Sequence, residues 1–185
     1  MTATAVSGGA NVAAWRHVRA IVLLPFMNVV AIPSVLLALW PPAFTQPRNA
    51  AALATALTGV GFAAAGCALV THSVRLFVRV GRGTLAPWDP TRELVTAGAY
   101  RYSRNPMKGG LFLVLLGEAL LAGSPALAVW FACFAIINMF YIRWHEEPGL
   151  TKRFGDRYRD YCAHVPRWWP TLLSLRAMAA PEQRS

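Results

Sequence analysis

The sequence predicts an all-α integral membrane protein in which four helices cross the bilayer, the last two forming a C-terminal hairpin. Hydrophobic residues make up 56% of the 185 residues and charged residues only 14%, whereas soluble domains carry about 25% charged residues. Long apolar runs alternate with polar segments, and Lys and Arg lie beside alternate ends of these runs. A cytoplasmic connector and an interfacial C-terminal helix complete this single domain, which covers residues 1–185.

Two apolar runs in the N-terminal part predict the first two spans, within residues 18–80. Ala20–Trp40 and Ala50–Val74 are each long enough to cross roughly 30 Å of hydrocarbon as a helix. The second run contains glycines that permit a neighbouring helix to approach closely. These glycines are Gly59, Gly61 and Gly66.

A third apolar run, Gly109–Ile142, is too long for one crossing and contains the sequence AGSPA. Gly123 can end one helix in a left-handed conformation, Ser124 can cap the next helix, and the following proline fits a first helical turn. We therefore predict a helical hairpin with arms at about Pro106–Ala122 and Pro125–Ile142.

The distribution of basic residues predicts the topology. Of the 18 Lys and Arg, two precede the first run, seven lie between residues 75 and 108, and eight follow from residue 143 onward. Only Arg48 lies between the first two runs, and the hairpin turn has no basic residue. Four crossings put all three basic regions on the cytoplasmic side, whereas three crossings would put two of them on opposite sides. We therefore expect both termini in the cytoplasm, with the protein in a bacterial-type inner membrane.

The formal net charge of +10 fits a protein that contacts anionic lipid headgroups. Basic residues beside spans set topology, and because the sequence has no nucleic-acid-binding motif we expect no nucleic-acid partner. The three cysteines and four histidines are scattered without metal-ligand spacing, so neither a disulfide framework nor a metal site is predicted.

Two segments outside the spans are expected to face the cytoplasm. The connector before Pro106 is punctuated by proline and glycine, which is typical of a binding loop. After the last span, aromatic and apolar residues recur at helical spacing between charged residues, which predicts an interfacial amphipathic helix whose aromatics anchor it in the membrane. These residues are Phe154, Tyr158, Tyr161 and Val165, and Trp168 and Trp169 also suit the headgroup layer.

The hairpin brings the connector and the C-terminal segment together, because its arms start and finish on the same membrane face. The basic side chains before it and the carboxylate pair after it should therefore meet beside the lipid. A helix beginning at Asn105–Pro106 also offers free N–H groups and a positive dipole end to an anion. Alternatively, Glu146 and Glu147 form ordinary surface ion pairs. The residues brought together are Arg101, Arg104, Asn105, Lys108, Arg143, Glu146 and Glu147.

Two polar residues, Glu118 and Asn138, lie within the predicted hairpin arms. An ionisable residue in a span is costly and often functional, so Glu118 is a candidate for lining the substrate path. Pairing of Glu118 with Asn138 or Asn28 is the alternative.

Three blocks of the sequence resemble the membrane methyltransferases that include isoprenylcysteine carboxyl methyltransferase and phosphatidylethanolamine N-methyltransferase. LVTAGAYRYSRNPMKGG resembles that family's Leu-Val, Gly-x-Tyr and Arg-His-Pro-x-Tyr-x-Gly block, and RWHEE resembles its Arg and Glu-Glu block. FGDRYRDYCAHVPRWWP is similar to the family's tail. The blocks mark residues 81–170 as a methyltransferase-like catalytic half, followed by a tail at 171–185.

The resemblance implies S-adenosylmethionine as cofactor, in a pocket at the cytoplasmic end of the hairpin. By position, Leu94 and Val95 would contact the adenine, Tyr100 would pack nearby, and Glu146 would bind the ribose or the polar end of the cofactor. The cofactor-binding residues so implied are Leu94, Val95, Tyr100, Arg104, Asn105, Pro106, Lys108 and Glu146.

Two positions depart from the family pattern. Asn105 replaces the usual histidine, so it can donate a hydrogen bond but cannot accept a proton near neutral pH. Lys108 replaces the usual tyrosine and can hold the cofactor's carboxylate. The resemblance also makes Arg143 and Glu147 the candidate catalytic residues: Arg143 would orient an ionised acceptor, and Glu147 would be the base if the acceptor is an ammonium.

The implied reaction is methyl transfer to a lipophilic carboxylate, thiolate or amine. Membrane lipids would be further partners. Because the sulfonium already activates the methyl group, the protein mainly aligns the acceptor and excludes water. Two other functions remain open from the sequence: a nicotinamide-dependent membrane reductase of the sterol-reductase type, and a small membrane protein without enzymatic activity.

Overall fold

The computed structural model describes residues 25–42, 49–80 and 93–168, and these ranges contain helices but no strand. Two helices, Ala50–Leu76 and Pro125–Phe154, are long and apolar enough to cross a membrane, and Met27–Leu39 is a shorter apolar helix. Residues 20–24 of the first predicted span lie outside the described residues, as do connector residues 81–92 and the C-terminal residues from Trp169 onward.

We label six helices in chain order. The first, α1, consists of a π-helical turn followed by an α-helix, and a second π-helical turn joins α4 to α5. The bounds are Met27–Ala31 and Ile32–Leu39 for α1, Ala50–Val80 for α2, Pro106–Ala122 for α3, Pro125–Tyr141 for α4, Ile142–Glu146 for the joining turn, Glu147–Phe154 for α5 and Asp156–His164 for α6.

The predicted hairpin turn is confirmed. Helix α3 ends at Ala122, and Gly123 adopts the left-handed conformation with φ 56°. The side-chain oxygen of Ser124 accepts a hydrogen bond of 3.4 Å from the backbone N–H of Leu127, and α4 begins at Pro125. Glycine and serine thus act as the helix stop and the N-cap that their residue types favour.

Helices α2 and α3 run antiparallel and touch through two pairs of glycines. A Cβ built on Gly66 would lie 2.5 Å from the carbonyl oxygen of Gly110, and one built on Gly117 would lie 2.6 Å from that of Gly59. No side chain fits at such distances, so the glycines set the helix separation. The close approach predicted for Gly59 and Gly66 is confirmed, whereas a Cβ built on Gly61 would meet no neighbouring atom of the described residues within 4 Å, so Gly61 takes no part in it.

The apolar core lies between α3 and α4. Leu111, Leu115 and Phe134 form its buried centre. Helix α1 packs against this core, and the indole N–H of Trp130 donates a hydrogen bond of 3.0 Å to the carbonyl oxygen of Asn28. The two hairpin arms are therefore held together by side chains and by contacts with both N-terminal helices.

The helix that begins at Pro125 does not end at Ile142 as predicted. The turn Ile142–Glu146 continues it into α5 with a wider, π-helical repeat, and Gly155, with φ 58° and ψ −130°, separates α5 from α6. A π-helical turn inserts one extra residue into a helix. It changes the directions in which the residues at its end project.

The aromatic face of α6 packs on the protein. Tyr158 is 3% exposed and Val165 is 7% exposed, and the ring of Trp168 lies 5.3 Å from that of Phe112 on α3. The prediction that the aromatic side chains anchor an interfacial helix in the membrane is therefore wrong for Tyr158. Burial of an apolar side chain in protein removes its surface from water just as insertion into lipid does, so packing on the protein satisfies the same amphipathic pattern.

Candidate active site at the base of the hairpin

The connector enters the site as a short 3₁₀ turn, Gly98–Arg101, that rests on the end of α2. Gly98 has φ 57°, a left-handed conformation that favours glycine, and it lies against the Leu76 side chain of α2. Tyr100 is buried, and burial raises the pKa of its hydroxyl far above the ordinary value. The Tyr161 hydroxyl donates a hydrogen bond of 2.6 Å to the Tyr100 carbonyl oxygen. The turn is thus fixed from two sides.

Lys108, on the first turn of α3, forms an ion pair with Glu146 at the end of the π-helical turn. The side chains of Lys108 and Glu146 are 17% and 36% exposed, so the pair is open to solvent on one side. The ammonium also lies 5.2 Å from the centre of the Tyr141 ring, which stacks on His145. A cation and a carboxylate therefore lie together at the base of the hairpin, against an aromatic wall.

Glu147 is 8% exposed and contacts two guanidinium groups. Arg104 lies 2.8 Å from one of its carboxylate oxygens, and Arg167 donates hydrogen bonds of 2.8 and 2.6 Å to the two oxygens. The hydrogen bond with Glu147 raises the pKa of Arg167. Arg104 also donates to the Cys162 sulfur at 2.7 Å. These four side chains form one cluster in which the carboxylate is shared between two positive charges.

The segment before α3 is hydrogen-bonded to the segment after α6. The Arg104 N–H donates to the Pro166 carbonyl oxygen at 2.9 Å, and the Ser103 hydroxyl and the Asn105 amide both donate to the Arg167 carbonyl oxygen at 3.2 Å. Asn105 occupies the N-cap position of α3, but its side chain makes no capping hydrogen bond. The amide instead joins two segments that are distant in sequence.

The structure brings most of the predicted site residues together, whereas Arg101 and Arg143 are exposed and form no ion pair with any described residue. Val95 and Pro106 are buried, and Leu94 is half-buried. Arg143 lies on the π-helical turn. The residues that meet at the base of the hairpin are Tyr100, Arg104, Asn105, Lys108, Glu146 and Glu147.

Sequence reasoning missed the roles of Arg167, Ser103 and Cys162. The tail block contains Arg167 and Cys162, but only the fold shows that they contact the connector. The side-chain amide of Asn138 donates a hydrogen bond to the carbonyl oxygen of Phe134 on its own helix. This bond satisfies the amide without the pairing to Glu118 that the sequence suggested as an alternative. One carboxylate oxygen of Glu118 is buried without a hydrogen-bond partner among the described residues.

Comparison with known proteins identifies the family. A model of the family described as phospholipid methyltransferase matches residues 54–157, which include most of α2, the connector, the hairpin and the start of α6. The chain belongs to the phospholipid methyltransferase family. Two curated relatives, the protein-S-isoprenylcysteine O-methyltransferases of Mus musculus and Rattus norvegicus, are each 31% identical over 87 residues.

The match to these two relatives is partial. It covers 46% of this chain and 30% of each relative. No solved structure matches the chain. The family assignment favours the methyltransferase interpretation over the reductase and over a non-enzymatic membrane protein, and the matched residues 54–157 include Lys108, Glu146 and Glu147 of the site.

Proposed function

We propose that this protein is an integral membrane methyltransferase that uses S-adenosylmethionine to methylate a lipophilic acceptor at the cytoplasmic membrane face. The proposed topology has four spans and both termini in the cytoplasm, as the charge distribution predicts. The observation that carries the proposal is the Lys108–Glu146 pair at the base of the hairpin, beside buried Tyr100.

The side chains at the base of the hairpin fit the two ends of this cofactor. Its amino-acid end has an ammonium and a carboxylate, which complement the carboxylate of Glu146 and the ammonium of Lys108. Val95 and Tyr100 offer buried apolar surface suited to an adenine, with Leu94 beside them. Arg104, Asn105 and Pro106 would hold the start of α3 in place around the polar end.

When bound, the cofactor supplies a methyl group already activated by the sulfonium. The protein then has to align the acceptor, exclude water and keep the two reactants in contact. Apolar side chains of α3 and α4 exclude water on the membrane side, and the Lys108–Glu146 pair marks the polar boundary. No nucleophilic side chain is needed.

The charges of the site favour an acceptor that arrives ionised, such as a carboxylate or a thiolate. Both oxygens of Glu147 are engaged by arginines, and Glu146 is paired with Lys108. Among the described residues of the site, neither carboxylate is therefore free to take a proton from an ammonium. Glu147 then organises the charge cluster, and the exposed Arg143 is the group that would orient the anionic acceptor.

Titration calorimetry in detergent tests the cofactor assignment. Glu146→Gln removes a charge-assisted contact, so we expect S-adenosylmethionine binding to weaken by about 1.5–3 kcal/mol. Glu93→Gln is the matched control, because Glu93 is exposed and forms no described ion pair. Equal affinities of the folded parent and Glu146→Gln would remove Glu146 from the site, and binding of NADPH in place of S-adenosylmethionine would favour the reductase.

A further inference from the structure

The two short segments that flank the site are joined by backbone and side-chain contacts. Residues 103–105 donate three hydrogen bonds to the carbonyl oxygens of Pro166 and Arg167, at 2.9, 3.2 and 3.2 Å. The first of these segments leads directly into α3, which bears Lys108. The position of the C-terminal segment therefore fixes where α3 begins.

The side chain of Arg167 adds a second connection between the same segments. It binds both oxygens of Glu147, and Glu147 in turn binds Arg104 of the connector. The side chains of Glu147 and Arg104 are 10% and 13% exposed, so the carboxylate is mostly withdrawn from water. A buried carboxylate that loses a partner is strongly destabilised. Arg167 thus holds α5, the connector and its own segment in one arrangement.

We infer that Arg167 is a positioning residue, which orients the start of α3 and the Lys108–Glu146 pair through its contacts with Glu147 and with residues 103–105. This inference rests on the proposed function, since the pair is where the cofactor would bind. Arg167 itself does not contact the pair. The effect of its side chain reaches Arg104 through Glu147, and its backbone carbonyl oxygen accepts from Asn105; Arg104 and Asn105 lie immediately before α3.

Kinetics should distinguish this role from general structural support. Replacing Arg167 by Gln removes its side-chain bonds to Glu147 and leaves the backbone acceptors of residues 103–105 in place. The connector is then held less firmly, so α3 and Lys108 sample more positions and the cofactor must select the competent one. We expect the KM for S-adenosylmethionine to rise about tenfold, the scale of one lost charge-assisted hydrogen bond, while kcat per folded molecule changes little. A purely structural role would lower the folded fraction and leave KM unchanged.

Three further variants serve as comparisons for the KM measurement. Arg167→Lys keeps the charge but loses the two-pronged contact, so its KM should lie between those of the parent and Arg167→Gln. In the double variant Glu147→Gln/Arg167→Gln, the Arg167 change should raise KM by less than it does in the parent, because both changes remove the same contact. Arg157→Gln is the matched control, since Arg157 is an exposed arginine of α6 without a described ion pair.

Hydrogen exchange supplies a readout that needs no cofactor. The Arg104 amide is bonded to Pro166, and in Arg167→Gln its exchange should be about tenfold faster, whereas Arg157→Gln should leave it unchanged. Faster exchange together with a raised KM supports the inference. Parent-like exchange or a parent-like KM in Arg167→Gln overturns it. If the parent itself fails to bind S-adenosylmethionine, the proposed function is wrong, and so is this role of Arg167 at the cofactor site. Faster exchange in Arg167→Gln would in that case still show that Arg167 tethers the connector.

Discussion

Replacing Gly66 by valine should push α2 and α3 apart. The added Cβ would lie 2.5 Å from the Gly110 carbonyl oxygen and 2.8 Å from the backbone nitrogen of Val114. Because an ordinary contact begins at 3.4 Å, the helices would have to separate by about 0.9 Å. Both neighbours are backbone atoms, so no rotamer change relieves the clash.

Gly61→Val is the matched control for this change. Gly61 lies on the same helix, and a Cβ there would meet no atom of a neighbouring element within 4 Å. Both variants make the same change in intrinsic helix propensity, so the difference between them isolates the helix contact. Overpacking typically costs about 1–3 kcal/mol, and we expect Gly66→Val to be less stable than Gly61→Val by that amount.

The assay is unfolding by SDS titration in mixed micelles, followed by circular dichroism. The comparison uses the free energies of unfolding of the two variants under identical lipid and detergent conditions. Equal free energies for Gly66→Val and Gly61→Val would refute the reasoning, because the two helices would then not touch through Gly66.

Two further predictions concern the connector. Burial raises the pKa of the Tyr161 hydroxyl above its usual value of 10.0, so the folded state keeps a proton that the unfolded state releases. The contribution of Tyr161 to the free energy of unfolding should therefore be fully present below about pH 10 and be lost as the pH rises further. Tyr161→Phe should make that decline shallower in alkaline unfolding curves while costing about 1 kcal/mol at neutral pH; an equally steep decline would contradict this. Asn105→Asp should destabilise the fold at least as much as Asn105→Ala, because the amide donates to Arg167. If Asp stabilises relative to Ala in thermal unfolding, the side chain caps α3 after all.

Local signals in the sequence were enough to predict the hairpin. The residue types of Gly123 and Ser124 are themselves helix-stop and N-cap signals, so the turn, the end of α3 and the start of α4 follow from the local sequence. The continuation of α4 through Ile142–Glu146 was not predictable in this way. A π-helical turn has no residue signature of its own and depends on how the segments beyond it pack.

The aromatic residues of α6 show a second limit of sequence reasoning. Tyr158 and Tyr161 have the spacing of an amphipathic helix, and that pattern is the same whether the apolar face meets lipid or protein.

The Glu147 cluster shows a third limit of sequence reasoning. Its charged residues are far apart in the sequence: Arg104, Glu147 and Arg167. The sequence allows several pairings of their charges, and only the fold shows which pairs form.

Methyl transfer itself tests the central claim most directly. The purified protein in lipid nanodiscs would receive methyl-labelled S-adenosylmethionine with either a long-chain carboxylate or thiol, or a long-chain amine. We expect label on the carboxylate or thiol, little label on the amine, and a raised cofactor requirement for Lys108→Met at an unchanged folded fraction. Transfer to the amine alone would contradict the ionised acceptor, and a parent-like cofactor requirement in Lys108→Met would exclude the Lys108–Glu146 pair from the cofactor site. No transfer from a parent that binds no S-adenosylmethionine would contradict the account as a whole.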